Sequence, residues 1–526
     1  MAGYAVWAGL FIYQSSYIAL DGQRYFGLFD DAMISMRYAW NFAHGLGLAW
    51  NAGERVEGYT NLLMTLIMSL ASLILEKRLA ALAIQIMGIP TILGIALLAR
   101  RLALELDQDR PESEFLGLLT AAAVLLYYPL SYWTLMGMET GLLSMLLLAA
   151  VCCGLLWLKR GLPAYLAWMS AMAGLAFLTR NDSLIPSAII FAFVALVTYW
   201  RAHDRGSLSS MLLPAGILAL FILAQITFRV LYYGQWLPNT YFLKLTRYPL
   251  NIRLLDGSRF VLGFLQQTWP VFLLAAAAIW RRFRLRQLLF ILLALAALAY
   301  QVYVGGDPWD SWRMLAPAMP ALFIVTASGA YALAISLRRR ASPALALGAA
   351  SIVMLVAVAV PDLPFLADMA VRAPTSAAIA NRINTNSAIA IQALTSPEAT
   401  IGVIWAGTLP YYSDRYAIDY LGKSDPYIAH LRADVSGDSA WGGRLSIPGH
   451  NKFDLEYSIV QRRPTYSQAF SWGYDTVRPY FVENYVRVEY HGAVGTKTIF
   501  LLKDSPLVCW EACKDTYSIV PWPEQK

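Results

Sequence analysis

The sequence predicts a polytopic α-helical membrane protein with about eleven transmembrane helices and a C-terminal α/β domain on the extracytoplasmic side. Three observations predict it. Hydrophobic residues make up 58% of the 526 and charged residues 14%, against roughly 25% charged in a soluble domain. Windows of about 20 apolar residues recur from Gly3 to Val360, each long enough to cross about 30 Å of hydrocarbon. Lys and Arg gather in short clusters between those windows, which is the record of membrane orientation. The net charge of +7 is therefore no nucleic-acid footprint: the expected partner is the lipid bilayer, and nucleic acid is not one.

The basic clusters set the expected topology. Arg338 to Arg340, Arg281 to Arg286, Arg201 to Arg205, Lys159 with Arg160, and Arg100 with Arg101 mark cytoplasmic loops, with two apolar runs between consecutive clusters. Spans are expected at residues 80–100, 115–133, 139–158, 164–181, 184–200, 211–230, 259–280, 286–304, 313–336 and 342–361. The first apolar run, residues 3–20, has no basic leader segment and no small-residue cleavage site before Asp21, so it reads as a retained span. Residues 59–77 break the alternation and hold only about 15 strictly apolar positions, which suits a re-entrant or surface-lying helix. The N-terminus is then cytoplasmic, residues 1–362 form a membrane domain, and residues 363–526 form an extracytoplasmic domain of a cytoplasmic-membrane protein.

Nearly all the unusual polar chemistry falls in the outward loops. Asp30 and Asp31 follow the first span and open a segment in which Ile34, Tyr38 and Phe42 recur every fourth position, the pattern of an amphipathic helix on a membrane surface. An acid pair there is commonly only a helix cap. Beside a membrane, however, a carboxylate bears a desolvation cost, and desolvation with a like-charged neighbour raises basicity, which deprotonating a sugar hydroxyl requires. The outward loops also hold Arg180, Lys244 and Arg313. These cations suit a lipid-linked phosphate, or else snorkel to the interface. Trp236, Tyr241, Trp309 and Trp312 can stack on sugar faces, although interfacial belts enrich the same rings. Acyl-transfer, zinc-hydrolase and phosphate-loop motifs are missing, and five His make a His-based metal site a poor expectation. No cofactor or metal is expected. Cys152 and Cys153 lie in an apolar run, while Cys509 and Cys513 lie in the tail, where an extracytoplasmic disulfide is permitted.

The first loop carries Asp30-Asp31-Ala-x-Ile34-x-x-Arg37-Tyr38-Ala39-x-Asn41, then Gly45-x-Gly47, Asn51, Gly53-Glu54, and Val56-Glu57-Gly58-Tyr59-Thr60. This resembles the GT-C membrane glycosyltransferases, and among them the terminal β-(1→2) arabinofuranosyltransferases of mycobacterial-type arabinan assembly. The resemblance continues through Gly137-Met138-Glu139-Thr140, Leu178-Thr179-Arg180, Pro238-Asn239-Thr240-Tyr241 with Lys244, and Ala406-Gly407-x-x-Pro410-Tyr411-Tyr412-Ser413. It ends in Asp419, Leu421-Gly422, Asp425 and Ile428-Ala429. It implies a polyprenyl-phosphate sugar donor, a glycan or lipid-glycan acceptor, inversion at the anomeric carbon, and Asp30 or Asp31 as base. It makes Arg180 and Lys244 phosphate contacts. Arg37, Asn41, Glu57, Tyr59, Glu139, Asn239, Tyr241, Asp307, Trp309, Arg313 and His450 join them as expected substrate-binding residues. Asn181-Asp182 stands after Arg180 where many such relatives have Pro-Glu.

In the tail, Thr400–Trp405 and Lys497–Leu502 read as strands and residues 375–394 as a helix. Gly442, Gly443, Gly449, His450 and Asn451 read as a loop over the membrane face. A competing class is a transporter or flippase of a lipid-linked glycan, for which internal repeats and broken helices are the usual signs. No repeat is evident, and the polar residues gather at one face.

Overall fold

The computed structural model describes the chain except residues 109–110, 203–208, 310, 337–341, 437–443, 470–472, 493–494, 513–516 and 523–526. Cys513, Asp310, Arg205, Arg338, Arg339, Arg340, Gly442 and Gly443 therefore lie outside the described residues, and with Cys513 the expected disulfide.

The membrane portion is built from helices. α1 (Ala2–Gln14) is followed by the hairpin β1 (Ser16–Ile18) and β2 (Arg24–Phe26), then α2 (Asp30–Ala43) and α3 (Leu62–Ile74). Next come α4 (Lys77–Leu106), α5 (Ser113–Leu126), α6 (Tyr128–Leu135), α7 (Thr140–Arg160), α8 (Pro163–Thr179) and α9 (Leu184–Ala202). α10 (Leu212–Tyr233), α11 (Asn239–Leu245), α12 (Leu250–Arg281), α13 (Leu285–Val304), α14 (Met319–Ser336) and α15 (Pro343–Asp362) complete it. Among the described residues eight helices are long and apolar enough to cross a bilayer, or nine if α5 and α6, bent by 55°, form one span. This is the pattern of a polytopic membrane protein.

The differences from the expected eleven spans have local causes. Residues 3–20 do not continue as one helix: α1 stops after 13 residues, and Ser16, Tyr17 and Ile18 pair antiparallel with Phe26, Tyr25 and Arg24. The run 115–133 breaks where Pro129, which has no N–H, stands in the first turn of α6; the Tyr128 N–H finds the Asp362 carboxylate instead. α8 has 17 residues, at the short limit for a span. α4 is longer than expected, 30 residues, or about 45 Å. The amphipathic helix α2 is present, but Ile34 and Tyr38 are buried inside the protein while Phe42 is exposed.

α2 is buried because the C-terminal part of the chain lies on it. After the short α16 (Leu366–Met369), α17 (Ser376–Leu394) leads into β3 (Thr400–Val403), α18 (Thr408–Ser413), β4 (Tyr416–Asp419) and α19 (Pro426–Ala429). β5 (Tyr466–Ser467), α20 (Tyr474–Asn484), β6 (Tyr485–Gly492), β7 (Gly495–Leu502) and β8 (Ser518–Val520) follow. The strands form one sheet in the order β4-β3-β5-β7-β6-β8. β3 runs parallel to β4 and β5, and the remaining pairs are antiparallel. Ile401, Val403, Tyr466, Ile499 and Leu501 of this sheet share a hydrophobic core with Ile34 and Tyr38 of α2 and with Ala390, Ile391 and Leu394 of α17. Trp50, Tyr59 and Tyr233 from the membrane portion belong to the same core. The carboxyl ends of the parallel strands β3 and β4 point their loops at the start of α2, the place where α/β sheets ordinarily build sites.

Candidate functional site

The two acids at the start of α2 have opposite surroundings. Neither caps its own helix; Phe29 holds the N-cap position. Asp30 is 5% exposed and accepts the N–H groups of Gly407, at 3.1 Å, and Thr408, at 2.9 Å, in the loop after β3. A Cβ on residue 407 would stand 2.0 Å from the Asp30 carbonyl oxygen, so only glycine permits this approach. Burial pushes the Asp30 carboxyl up to about 6, against the opposing pull of Lys423 and the Thr408 N–H.

Asp31 faces cations instead. Arg313 Nη1 donates to its Oδ2 at 2.7 Å, Trp309 Nε1 to the same oxygen at 3.3 Å, and Lys423 Nζ to Oδ1 at 3.2 Å. Burial pushes this carboxyl up, but Lys423, Arg313 and Lys244 outweigh it and hold Asp31 well below the usual carboxylate range. The raised basicity expected of the pair is therefore found at Asp30, which is turned into backbone N–H groups, and not at Asp31, which faces the site.

The cations extend outward from Asp31. Arg313 bridges it to Asp307 through Nη2, at 2.7 Å. Arg180, at the C-cap of α8, donates Nη1 to Glu139 at 2.7 Å and Nη2 to Asp182 at 2.9 Å. Lys244 on α11 makes no hydrogen bond or ion pair among the described residues; burial and the neighbouring Arg313 push its ammonium down to about 8. His450 is half-buried near Trp309, ring centroids 5.7 Å apart. Burial, then Lys423, pushes its imidazole down to about 3, so it is neutral.

Two clefts meet at these cations. One is lined by Leu143, Leu147, Leu148, Ile185, Leu293 and Ala297 along α7, α9 and α13, and by Glu139, Arg180 and Arg313 at its polar end. The other is lined by Arg180, Asp182, Thr240, Tyr241, Lys244, Tyr300, Asp307 and Arg313. Arg180, Asp182, Tyr300, Gln301, Arg313 and Met314 line both. The arrangement can take an anionic headgroup with a long apolar tail.

Other expected binding residues lie away from these clefts. Arg37 donates to the Trp50, Pro410 and Arg415 carbonyls and to Asn51, tying α2 to the sheet. Asn41 donates to the Ala49 and Trp50 carbonyls. Glu57 is bidentate with the buried Arg229 of α10. The Tyr59 hydroxyl accepts from Tyr233 at 3.2 Å. Asn239 donates to the carbonyls of Gly422 and Lys423 at 2.9 and 3.0 Å, and so positions the loop that carries Lys423. Sequence reasoning passed over Lys423 and Arg229. Arg229 had a legible signal, a charge inside an apolar span. Lys423 stood unnoticed between Gly422 and Asp425.

Comparisons with known proteins bear on this arrangement. A family model described as a domain of unknown function (DUF8728) matches residues 372–505. We find no match among curated protein sequences. The crystal structure of ArnT from Cupriavidus metallidurans in the apo state is similar with a TM-score of 0.52 at 15% identity, covering 94% of this chain and 96% of ArnT. The structure of the same protein bound to undecaprenyl phosphate is similar with a TM-score of 0.56 at 13% identity, covering 96% and 97%. These likenesses show that the chain shares the overall fold of ArnT.

Proposed function

We propose that the chain is an inverting glycosyltransferase that moves a sugar, arabinofuranose, from a polyprenyl-phosphate donor to a glycan or lipid-glycan acceptor on the outer face of the cytoplasmic membrane. The observation that carries this reading is the junction of an apolar cleft with a cationic one at Arg180 and Arg313, beside the ionised Asp31. The ArnT structure bound to undecaprenyl phosphate supports it, since that ligand joins a long apolar chain to a phosphate. In this reading residues 1–362 are the membrane catalytic domain, and residues 363–526 are an extracytoplasmic carbohydrate-handling domain that delivers Lys423 to the site.

The lipid occupies the cleft between α7, α9 and α13, and its phosphate lies among Arg180, Lys244 and Arg313. An acceptor hydroxyl attacks the anomeric carbon on the face opposite the phosphate. The new C–O bond forms as the bond to the phosphate oxygen breaks, the hydroxyl proton passes to Asp31, and polyprenyl phosphate leaves with the bonding electrons. The cations oppose the growing phosphate charge. Before the donor binds, Lys423, Arg313 and Lys244 keep Asp31 ionised but weakly basic. A phosphate beside Arg313 and Lys244 takes up part of that field and moves Asp31 toward the basicity that proton transfer favours.

The test is to incubate the full chain in lipid nanodiscs with undecaprenyl phosphates carrying arabinofuranose, mannose or glucose, and an arabinan oligosaccharide acceptor. The expected product is an arabinofuranosylated oligosaccharide of inverted anomeric configuration, with free carrier phosphate released. Absence of turnover with every donor, together with passage of a labelled lipid-linked glycan across proteoliposomes, would replace this reading by a transporter.

A further inference from the structure

We propose that Thr240 and Asp307 read ring hydroxyls of the transferred sugar, making this cleft selective for a hydroxylated sugar over the bare carrier; the inference rests on the donor reading above. Both side chains are buried, 5% and 4% exposed, and both line the cationic cleft. Among the described residues, Thr240 Oγ1 and Asp307 Oδ2 have no hydrogen-bond partner.

Orphaned polar atoms are rare in folded proteins because burying them unpaired is costly. Other helical threonines in this chain avoid the cost: the hydroxyls of Thr91, Thr120, Thr134, Thr268 and Thr326 each donate to the carbonyl four residues back. Thr240 stands in the first turn of α11, directly after Pro238 and Asn239, where the helix supplies no such carbonyl. Asp307 spends Oδ1 on Arg313 Nη2 at 2.7 Å and leaves Oδ2 unused.

The placement matches a glycosyl phosphate. Thr240 and Lys244 lie one turn apart on the same face of α11, with about 5–6 Å between their Cβ atoms. A phosphate at Lys244 therefore sets the attached sugar beside Thr240. A hydroxyl group donates to the Asp307 carboxylate, and the Thr240 hydroxyl both donates and accepts, so the two orphans suit neighbouring sugar hydroxyls.

Thr240→Val tests this, because valine keeps the shape and removes the orphan. In nanodiscs, affinities are measured for bare undecaprenyl phosphate and for the same carrier bearing arabinofuranose, mannose or glucose. Wild type is expected to prefer one sugar-bearing lipid over the bare carrier. Thr240→Val is expected to weaken that lipid about 5- to 10-fold, leave the bare carrier within about twofold, and keep or raise the melting temperature. Thr240→Ser, which retains the hydroxyl, is expected to restore most of the preference. An equal loss for bare and glycosylated lipid, no loss at all, or a wild type without preference for any sugar overturns the proposal. A wild type that binds none of the lipids overturns the donor reading itself, and this inference with it.

Discussion

The two ends of the helical bundle handle charge differently. Where α7 ends and α13 begins, Glu105 is paired with Arg101 and Lys159, at 2.8 and 2.9 Å, and Asp107 with Arg284 at 2.6 Å and with Ser328. Each acid there holds helices together. Where α7 begins and α13 ends, the cations converge on a shared cleft; among the described residues Lys244 is left without a partner, and Thr240 and Asp307 keep unused polar atoms. The same side-chain chemistry serves cohesion at one end and leaves binding capacity at the other. Both ends pair most of their charges; what separates them is the cleft-facing Lys244, Thr240 and Asp307 groups left over among the described residues.

The strongest way to break that comparison is to neutralise Asp31 and Asp30 separately. Asp31→Asn is expected to lower sugar transfer by about 10²- to 10⁴-fold while the protein still folds and binds donor. Asp30→Asn is expected to act on stability, because an amide cannot accept both the Gly407 and Thr408 N–H groups. Since the folded Asp30 carboxyl is raised from 3.8 to about 6, its ionisation costs the folded state. Stability is full below the unfolded value and declines as pH rises through about 6. Melting temperature against pH should show this decline in wild type and a flatter curve in Asp30→Asn. Near wild-type turnover by both variants would place the catalytic centre elsewhere.

Arg180→Ala probes a cation that is both paired and on the cleft. Removing it leaves Glu139, 4% exposed, without its cation, and the expected loss of stability is about 3 kcal/mol, the low end for a buried pair because a fifth of the Arg180 side chain meets solvent. Donor affinity should fall as well, and Arg180→Lys should recover only part of both losses, since lysine cannot make the forked contact. Unchanged donor affinity in the folded fraction would reduce Arg180 to a structural residue.

Lys244→Met sharpens the comparison because no ion pair is lost. Melting temperature is expected to stay constant while donor affinity falls about tenfold. Burial and Arg313 push the Lys244 ammonium down to about 8 in the free protein, so wild-type donor affinity should weaken as pH rises above 8 and the ammonium loses its proton. That alkaline weakening should vanish in Lys244→Met, as read by binding isotherms from pH 6.5 to 9.5. At the other end of the bundle the smallest effect is expected: Glu105→Gln costs about 1 kcal/mol of stability, because Arg101 and Lys159 are nearly half exposed, with donor affinity and turnover unchanged.

Much of this was legible in the chain itself. Apolar windows set by bilayer thickness placed helices in the ten expected later runs, of which eight, or nine with the bent α5–α6 pair, are long and apolar enough to cross, and the four-residue recurrence of Ile34, Tyr38 and Phe42 placed α2. Those are local properties, fixed by the periodicity of backbone and side chain along a short stretch. The break at Pro129 and the early end of α1 were not read: the first depends on Asp362, distant in sequence, which takes the Tyr128 N–H, and the second on a short hairpin in which β2 pairs with β1, a local turn hidden inside an apolar run.

The candidate site divides the same way. Residue type and position singled out Asp31, Arg180, Lys244, Asp307, Trp309 and Arg313 as one-sided polar chemistry, and the fold brings these six together. Only tertiary structure decided which acid faces the cations, that Arg37, Asn41, Glu57, Tyr59 and Asn239 are consumed in internal contacts, and that Lys423 reaches Asp31. The reason is physical. Adjacent acids in one helical turn are alike in sequence, and what separates Asp30 from Asp31 is the field of groups some 280 to 390 residues away, which only folding brings within hydrogen-bond distance.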